Sequence, residues 1–341
     1  MRTGLRTILQ LSVLATFALV NTAPAQSAEK IKVEARQVQF ALLDPGATAV
    51  GELVYRGGLE LRSKDKRFGG FSGALLTQNG QRLLAVSDKA WWLSAQLEYD
   101  GDTLAGISRT YFGPIISPKG KRWKRKKRQD AEAIGLYGRD EASGVLVGFE
   151  RKPRLLRFRV GPKGLKGKPE PFSVPSDMRK GRNNKELESA GRFVAGPHKG
   201  KLIAISEANR NKAGDIRGWI WKKPSRPIEF AVKRRGSYAI TDLAILKGGD
   251  LLLLERRLAL FKLPGVSIRL IEAGKLRDGA TVDGRVIMEA QAPAYLVDNM
   301  EGLSVHRNAS GELILTIMSD DNYNREQQRT LIYQFAWPGY Y

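Results

Sequence analysis

Cysteine is absent from this chain of 341 residues, and histidine occurs only at His198 and His306. The first absence excludes disulfides, zinc–thiolate centres and a thiol nucleophile. The second weighs against a Ser-His-Asp triad, and no Arg-His-Gly signature of a histidine-nucleophile phosphatase is present. Past the N-terminus there is no apolar run of the roughly 20 residues a spanning helix needs, and no long amphipathic helical pattern. What the chain has in excess is positive charge: 57 Lys and Arg against 35 Asp and Glu give a formal +22. A field of that sign draws in phosphates, anionic headgroups and polyanions generally without choosing among them. The expected partner is an anionic small molecule, with an anionic envelope surface as a further contact and no specific nucleic acid.

The first 25 residues read as a secretory signal peptide. Arg2 and Arg6 form the positive region, Ile8 to Val20 the apolar region, and Ala23-Pro24-Ala25 the small-residue cleavage site. Residues 26–46 are then an N-terminal extension and residues 47–341 the folded domain. A leader joined to a chain without cysteine suits a periplasmic or secreted bacterial protein with no integral membrane segment.

Five stretches share one pattern: an acid or hydroxyl residue, a small or apolar strand, a turn, a strongly apolar strand, and a second acid. They are FSGALLTQNGQRLLAVSDK (Phe71 to Lys89), DAEAIGLYGRDEASGVLVGFERK (Asp130 to Lys152), ELESAGRFVAGPHKGKLIAISE (Glu186 to Glu207), AITDLAILKGGDLLLLER (Ala239 to Arg256) and NMEGLSVHRNASGELILTIMSDDN (Asn299 to Asn322), beginning about 53 to 60 residues apart. Each reads as a β-hairpin centred on turn-like residues, such as Gly248-Gly249 or Ser310-Gly311. The two acids of a copy are thereby expected near the open end, within a residue or two of facing each other.

A third strand follows each hairpin from the second copy on, at Leu155–Val160, Gly218–Lys223, Leu258–Leu263 and Thr330–Phe335, and a weaker fourth at Pro171–Val174 or Pro227–Val232. Four strands per repeat at this period predict an all-β chain folded as a β-propeller of four-stranded blades. Five repeats predict five blades, with Gly51 to Arg62 closing the ring as the missing fourth strand of the last. The alternative is a sixth blade built from Val33 to Leu61 and Pro264 to Pro293.

In that geometry nine acids gather at one mouth of the axial channel: Asp88, Glu132, Glu150, Glu188, Glu207, Asp242, Glu255, Glu301 and Asp320. Like charges facing across strands repel, so a repeated acid pair calls for a cation. Carboxylates without Cys or His nearby favour a hard divalent ion, Ca²⁺ foremost, over zinc. Glu132, Glu301 and Asp320 are the candidate catalytic acids, and Glu188, Glu207, Asp242 and Asp321 the candidate metal ligands. Arg151, Arg256, Asn209, Asn322 and Arg329 are the candidate substrate contacts. Asn209 and Asn322 enter because SEANRNKAGD and SDDNYNREQQ echo each other. Basic loops at Lys64–Arg67, Lys119–Arg128, Arg179–Lys185 and Lys233–Arg235 would rim the mouth. The competing reading is that Lys89, Arg151 and Arg256 neutralise the acids as inter-blade salt bridges. Trp123, within the basic run Lys119–Arg128, is placed to stack on a base or sugar ring, although a solvated loop is the more ordinary reading.

These same segments resemble the phytase-like family of secreted bacterial proteins, named for the esterase-like activity of phytase. FSGALL with LLAVSDK, DAEAIGL with GFERKPRLLRF, ELESAGRF with IAISE and ITDLAIL with LLLLERR carry the likeness. DNMEGLSV with SDDNYNREQQRTLIYQF carries it most specifically, and the whole runs from about Ala47 to Phe335. The resemblance implies a propeller shaped like the calcium-dependent alkaline phytases and hydrolysis of a phosphoester or carboxylester. It also implies the acid positions Glu132, Glu188, Asp242, Glu301, Asp320 and Asp321 as its site candidates. Ser72 stands where other copies hold an acid and breaks the symmetry of the ring. A periplasmic metal-dependent ester hydrolase is therefore the first functional expectation. The second is a non-catalytic propeller that binds an anionic envelope ligand or a protein partner.

Overall fold

A computed structural model describes residues 28–180, 187–259 and 262–340. Their sheets, antiparallel but for one short edge strand, Thr281–Val282, are arranged as five blades. Blade 1 comprises strands Phe71–Thr77, Arg82–Ser87, Trp91–Asp100 and Thr103–Pro114, and blade 2 Ala131–Leu136, Val145–Phe149, Arg154–Gly161 and Gly164–Phe172. Blade 3 is Ser189–Arg192, Leu202–Arg210, Ile216–Trp221 and Ile228–Val232. Blade 4 is Ala239–Ile245, Leu251–Arg257, Gly265–Ile271 and Arg285–Gln291. Blade 5 takes Met300–Arg307, Leu313–Ser319 and Thr330–Ala336 from the C-terminal part of the chain and its outer strand, Leu53–Arg62, from the N-terminal part. The innermost strand of each blade packs on that of the next, and blade 5 packs on blade 1, so the ring is closed.

The buried apolar side chains fall into five clusters, one in each interface between adjacent blades. Leu75, Val86 and Trp92 of blade 1 meet Ile134, Val147 and Phe149 of blade 2, and Leu146 and Leu155 meet Ala204 and Trp219 of blade 3. The remaining clusters join blades 3 and 4, 4 and 5, and 5 and 1 in the same way. Each inner strand is therefore covered on both faces, which is why it reads as small and apolar rather than alternating. The inner strands approach so closely that a Cβ on Gly302 would lie 2.9 Å from the Ala74 amide nitrogen of the next blade. Glycine is what the packing allows there.

The five-bladed expectation holds, including closure by the N-terminal strand. The sixth-blade alternative does not, because Val33–Leu61 feeds blade 5, while Pro264–Pro293 supplies the two outer strands of blade 4 and, through Thr281–Val282, an edge strand to blade 3. The third strand of blade 4 is Gly265–Ile271, not Leu258–Leu263. Residues 260–261 of that stretch lie outside the described residues, while Leu258 and Leu263 are exposed and in no strand. The segment ahead of the ring packs along it: Glu29–Lys30 adds a strand to the edge of blade 1 and Glu34–Gln37 one to the edge of blade 5. Residues 1–27, which include the stretch expected to be a leader, lie outside the described residues. No helix among the described residues is long and apolar enough to cross a membrane.

Candidate functional site

All five inner strands begin at one end of the ring, and in four of them the ladder slips by one residue at the second or third position. The slip falls between Phe71 and Gly73, Ala131 and Ala133, Ile240 and Asp242, and Met300 and Gly302. A β-bulge re-aims the side chain it contains, here Ser72, Glu132, Thr241 and Glu301. Glu188, just ahead of the blade 3 strand, donates its backbone N–H to the Ile205 carbonyl at 3.1 Å and completes this inner tier.

The second strands supply an outer tier. The backbone N–H groups of Asp88, Glu150 and Asp320 donate to the carbonyls of Gly70, Asp130 and Asn299, each one residue ahead of its inner strand. Glu207 follows Ser206 at the corresponding place in blade 3. In blade 4, Ile240 faces Glu255 and Ala239 faces Arg256, so the equivalent residue is Arg256 and not Glu255. Ten positions thus hold seven acids, one serine, one threonine and one arginine.

The acids are packed into two linked groups. Carboxylate oxygens of Asp130, Glu132 and Glu150 lie within 4.8 Å of one another, as do those of Glu150, Glu188 and Glu207, with Glu150 shared. Glu301 is hydrogen-bonded to Asp320 and accepts from the Asn299 amide at 2.9 Å. Ser72 is hydrogen-bonded to Glu132. Arg256 reaches in from blade 4, 3.3 Å from Glu301 and 3.9 Å from Glu207. Arg151 pairs with Asp130.

Burial and then mutual repulsion push these carboxyls up. Glu132 stands well above the ordinary carboxylate range, first by desolvation and then by the charges of Glu301, Glu150 and Asp130. Glu188 does so by desolvation and then by Glu207, and Asp320 by desolvation and then by Glu301. Asp88 is pushed up to about 6, chiefly by burial. Desolvation also works against the Arg256 charge, but Glu301, Glu188 and Glu207 more than offset it. This mouth gathers more carboxyls than Arg256, Arg151, Lys89 and Lys126 can pair with.

An oxygen-only donor set with ligand atoms within 4.8 Å of one another fits a hard divalent cation. Ca²⁺ takes oxygens at about 2.3–2.6 Å, so two ligands on opposite sides of it lie about 5 Å apart. Either group, or both through Glu150, is of the right kind and size.

Other sequence candidates lie in different surroundings. Asp242 is buried, and its two oxygens accept the backbone N–H groups of Leu243 and of Leu303 in blade 5, both at 2.8 Å. It joins inner strands. Glu255 is buried beside Arg269, at 2.6 Å, and Arg235, at 3.5 Å, among the outer strands of blade 4. Asp321 accepts from the Gly70 and Tyr323 amides, tying the loop after blade 5's second strand to the entry of blade 1. Asn209 lies buried in blade 3, its side chain reaching the Asp177 carbonyl and Arg217. Asn322 sits exposed in a left-handed turn at φ 47° and donates to Gln328, so the two loops echo in sequence and differ in conformation. Arg329 is exposed and fixed through its main chain, its N–H on Asp298 and its carbonyl accepting the Ser319 hydroxyl.

The basic run Lys119–Arg128 borders the mouth: the Lys126 charge acts on both Asp88 and Asp130. Trp123 within it packs on the core between blades 1 and 2, with Arg154 4.7 Å from its ring. Arg67 and Arg235 are engaged in ion pairs, and residues 181–185 of the Arg179–Lys185 stretch lie outside the described residues. Both histidines are away from the mouth. His198 packs on Phe193 in the blade 3 turn, and His306 lines a cavity at the other end of the channel.

Asp130 was not singled out as a ligand, nor Arg256 as a member of the ring. Aligning the inner-strand starts FSG, AEA, LES, ITD and MEG places Thr241, not Asp242, in the column of Glu132 and so moves the facing position of blade 4 from Glu255 to Arg256; no such signal marks Asp130.

A family model described as "Phytase-like: Esterase-like activity of phytase" matches residues 66–323. No curated protein matches the chain. Among solved structures, the chain is similar to the PQQ-bound aldose sugar dehydrogenase of Streptomyces coelicolor, at 13% identity and a TM-score of 0.41, covering 89% of this chain and 99% of that one. A hypothetical protein from Leishmania major is similar at 9% identity and a TM-score of 0.40, covering 93% of this chain and 88% of that one.

Proposed function

Since the chain belongs to the phytase-like family, with its esterase-like activity of phytase, we propose that the acid-lined mouth binds a divalent cation, Ca²⁺ foremost, and hydrolyses an anionic ester there. The observation that carries this reading is the pair of carboxylate triads sharing Glu150. Asp130, Glu132, Glu150, Glu188 and Glu207 would hold the ion. Bound there, it supplies charge neutralisation and polarisation of a phosphoryl or carbonyl oxygen.

The chain's own residues do the rest. A hydrogen bond between the Glu301 and Asp320 carboxyls requires that one of them carry the proton. Such a pair gives a proton to a leaving oxygen and takes one from water in a single unit. Asp88, pushed up to about 6 by burial, is an acid of this rim poised to exchange a proton near neutral pH. Arg256 and Arg151 offer cationic contacts to the substrate, and the Lys119–Arg128 loop raises the local concentration of anions. Placement in the bacterial periplasm or outside the cell belongs to the same proposal and rests on the leader pattern of residues 1–25.

One observation favours a second reading, a non-catalytic propeller that holds an anionic envelope ligand or a protein partner: Arg256 already offsets charge within the acids. The deciding experiment titrates the metal-stripped protein with Ca²⁺ and Mg²⁺ while screening phosphomonoesters and carboxylesters. Hydrolysis that appears with the cation and disappears with chelator supports the enzyme. Polyanion binding that survives chelation, with no turnover, supports the binding module.

A further inference from the structure

The inner strands that open on the acids end, at the hairpin face, on a cavity of 520 Å³ with contributions from all five blades. That volume is within the range of about 300–1,000 Å³ of sites that bury small ligands. Its wall is apolar: Leu75, Ile134, Leu136, Leu243, Ile245 and Val305 face it. Four cations line it as well, Arg139, Arg192, Lys247 and Arg307, and no Asp or Glu does among the described residues. Two of the four are fixed by the protein. Arg192 donates to the Tyr137 carbonyl at 2.8 Å and lies 4.5 Å from the Tyr137 ring, and Arg307 donates to the Gly311 carbonyl at 2.6 Å. Arg139 and Lys247 are exposed and able to swing.

An apolar funnel with cations and no acids among its lining residues is matched by a molecule with one alkyl chain and one anionic head. We propose that this end of the channel binds a single-chain anionic amphiphile, a fatty-acid carboxylate, with its chain along the axis and its head among Arg139, Arg192, Lys247 and Arg307. This site is separate from the acid mouth and does not depend on any reaction there. Both halves of the ligand are needed. A short anion lacks the chain that leaves water, and a cationic amphiphile brings its head to like charges.

The test uses the mature protein and dansyl-undecanoate fluorescence, with all amphiphiles below their micelle concentrations. Saturable enhancement should be reversed by dodecanoate and not by acetate or inorganic phosphate. Affinity should rise about threefold to fourfold per methylene from octanoate to dodecanoate, as burial of one CH₂ implies. The exposed double variant Arg139→Glu/Lys247→Glu should weaken dodecanoate tenfold or more and leave dodecyltrimethylammonium bound no more weakly. Ile245→Trp should fill the funnel and remove binding of both, and unfolding curves establish whether that variant keeps the native ring. Absence of saturable binding, displacement by dodecyltrimethylammonium as effective as by dodecanoate, or wild-type affinity in the double variant would overturn the proposal. A protein that sediments as a dimer and becomes monomeric in the double variant would assign the funnel to a second copy and overturn it as well. Dodecyl phosphate run beside dodecanoate separates a phosphate head from a carboxylate.

Discussion

Blades 2 and 4 carry the same motif and use it oppositely. In blade 2, Asp130, Glu132 and Glu150 all turn to the channel and crowd together. In blade 4, Asp242 is spent on two backbone amides and Glu255 on Arg269, leaving Thr241 and Arg256 at the channel positions. Both blades contain an acid on each side of an apolar hairpin, but in blade 4 the acids fall one residue away from the column that faces the axis. With a side-chain period of two, one residue is the difference between a carboxylate that faces the channel and a packing group. The cluster is thus an incomplete ring of negative charge with one built-in countercharge.

Removing that countercharge gives the largest expected effect. Arg256→Gln leaves Glu301 and Glu207 without their neighbouring cation, and the loss should be about 3 kcal/mol of unfolding free energy, read by urea denaturation in chelator. Millimolar Ca²⁺ should restore most of it. A variant as stable as the parent in chelator would show that blade 4 does not balance the others.

Glu150→Gln attacks the shared corner of blade 2. Calorimetric titration should show cation affinity reduced about 100-fold, equivalent to roughly 2.7 kcal/mol. Unchanged affinity would remove the two triads from the binding site.

Asp88→Asn sharpens the comparison through pH. The folded-state pKa of about 6 lies above the ordinary aspartate value of 3.8, so the folded protein holds this proton more tightly than the unfolded chain does. Stability is lost as pH rises between those two values and stays reduced above them. Relative to the parent, the Asn variant should therefore gain about 2 kcal/mol between pH 4 and pH 7, measured as the difference of two denaturation series in chelator. A pH-independent difference would mean that Asp88 ionises freely in the folded ring.

Asp242→Asn should cost the least, about 1–2 kcal/mol, because one of the two accepting oxygens becomes an NH₂ facing the amide of Leu243 or Leu303. Cation affinity should be unchanged. A large drop in affinity would make Asp242 a cation ligand in spite of its two backbone hydrogen bonds.

Most of the fold was legible because the repeat states it directly: apolar hairpins at a fixed period, with the N-terminal strand left over for a C-terminal blade that is short of one. The third strand of blade 4 was misplaced because Leu258 to Leu263 is apolar enough to resemble a strand, although Leu258 and Leu263 are exposed. The mouth was legible as a concentration of acids. Its membership was not, because a bulge is a matter of backbone register that residue types alone do not declare. Asp321 and Asn209 show a second limit: a carboxylate or amide that caps a loop is written with the same letter as one that meets a ligand. The funnel at the other end left no motif, since its lining residues look like ordinary strand interior until the strands are arranged about an axis.

The pairing of Leu53–Arg62 with Thr330–Ala336 also has a kinetic meaning. The clasp joins segments separated by nearly the whole polypeptide, so the loop it closes is the largest in the molecule and its entropy must be met last. Four blades can condense as local meanders while the chain emerges, but blade 5 waits for both halves of its sheet. Until then the apolar flanks of blades 1 and 4 stay uncovered. A chain held in an unfinished state would expose them together, and the hazard of aggregation is concentrated in that interval.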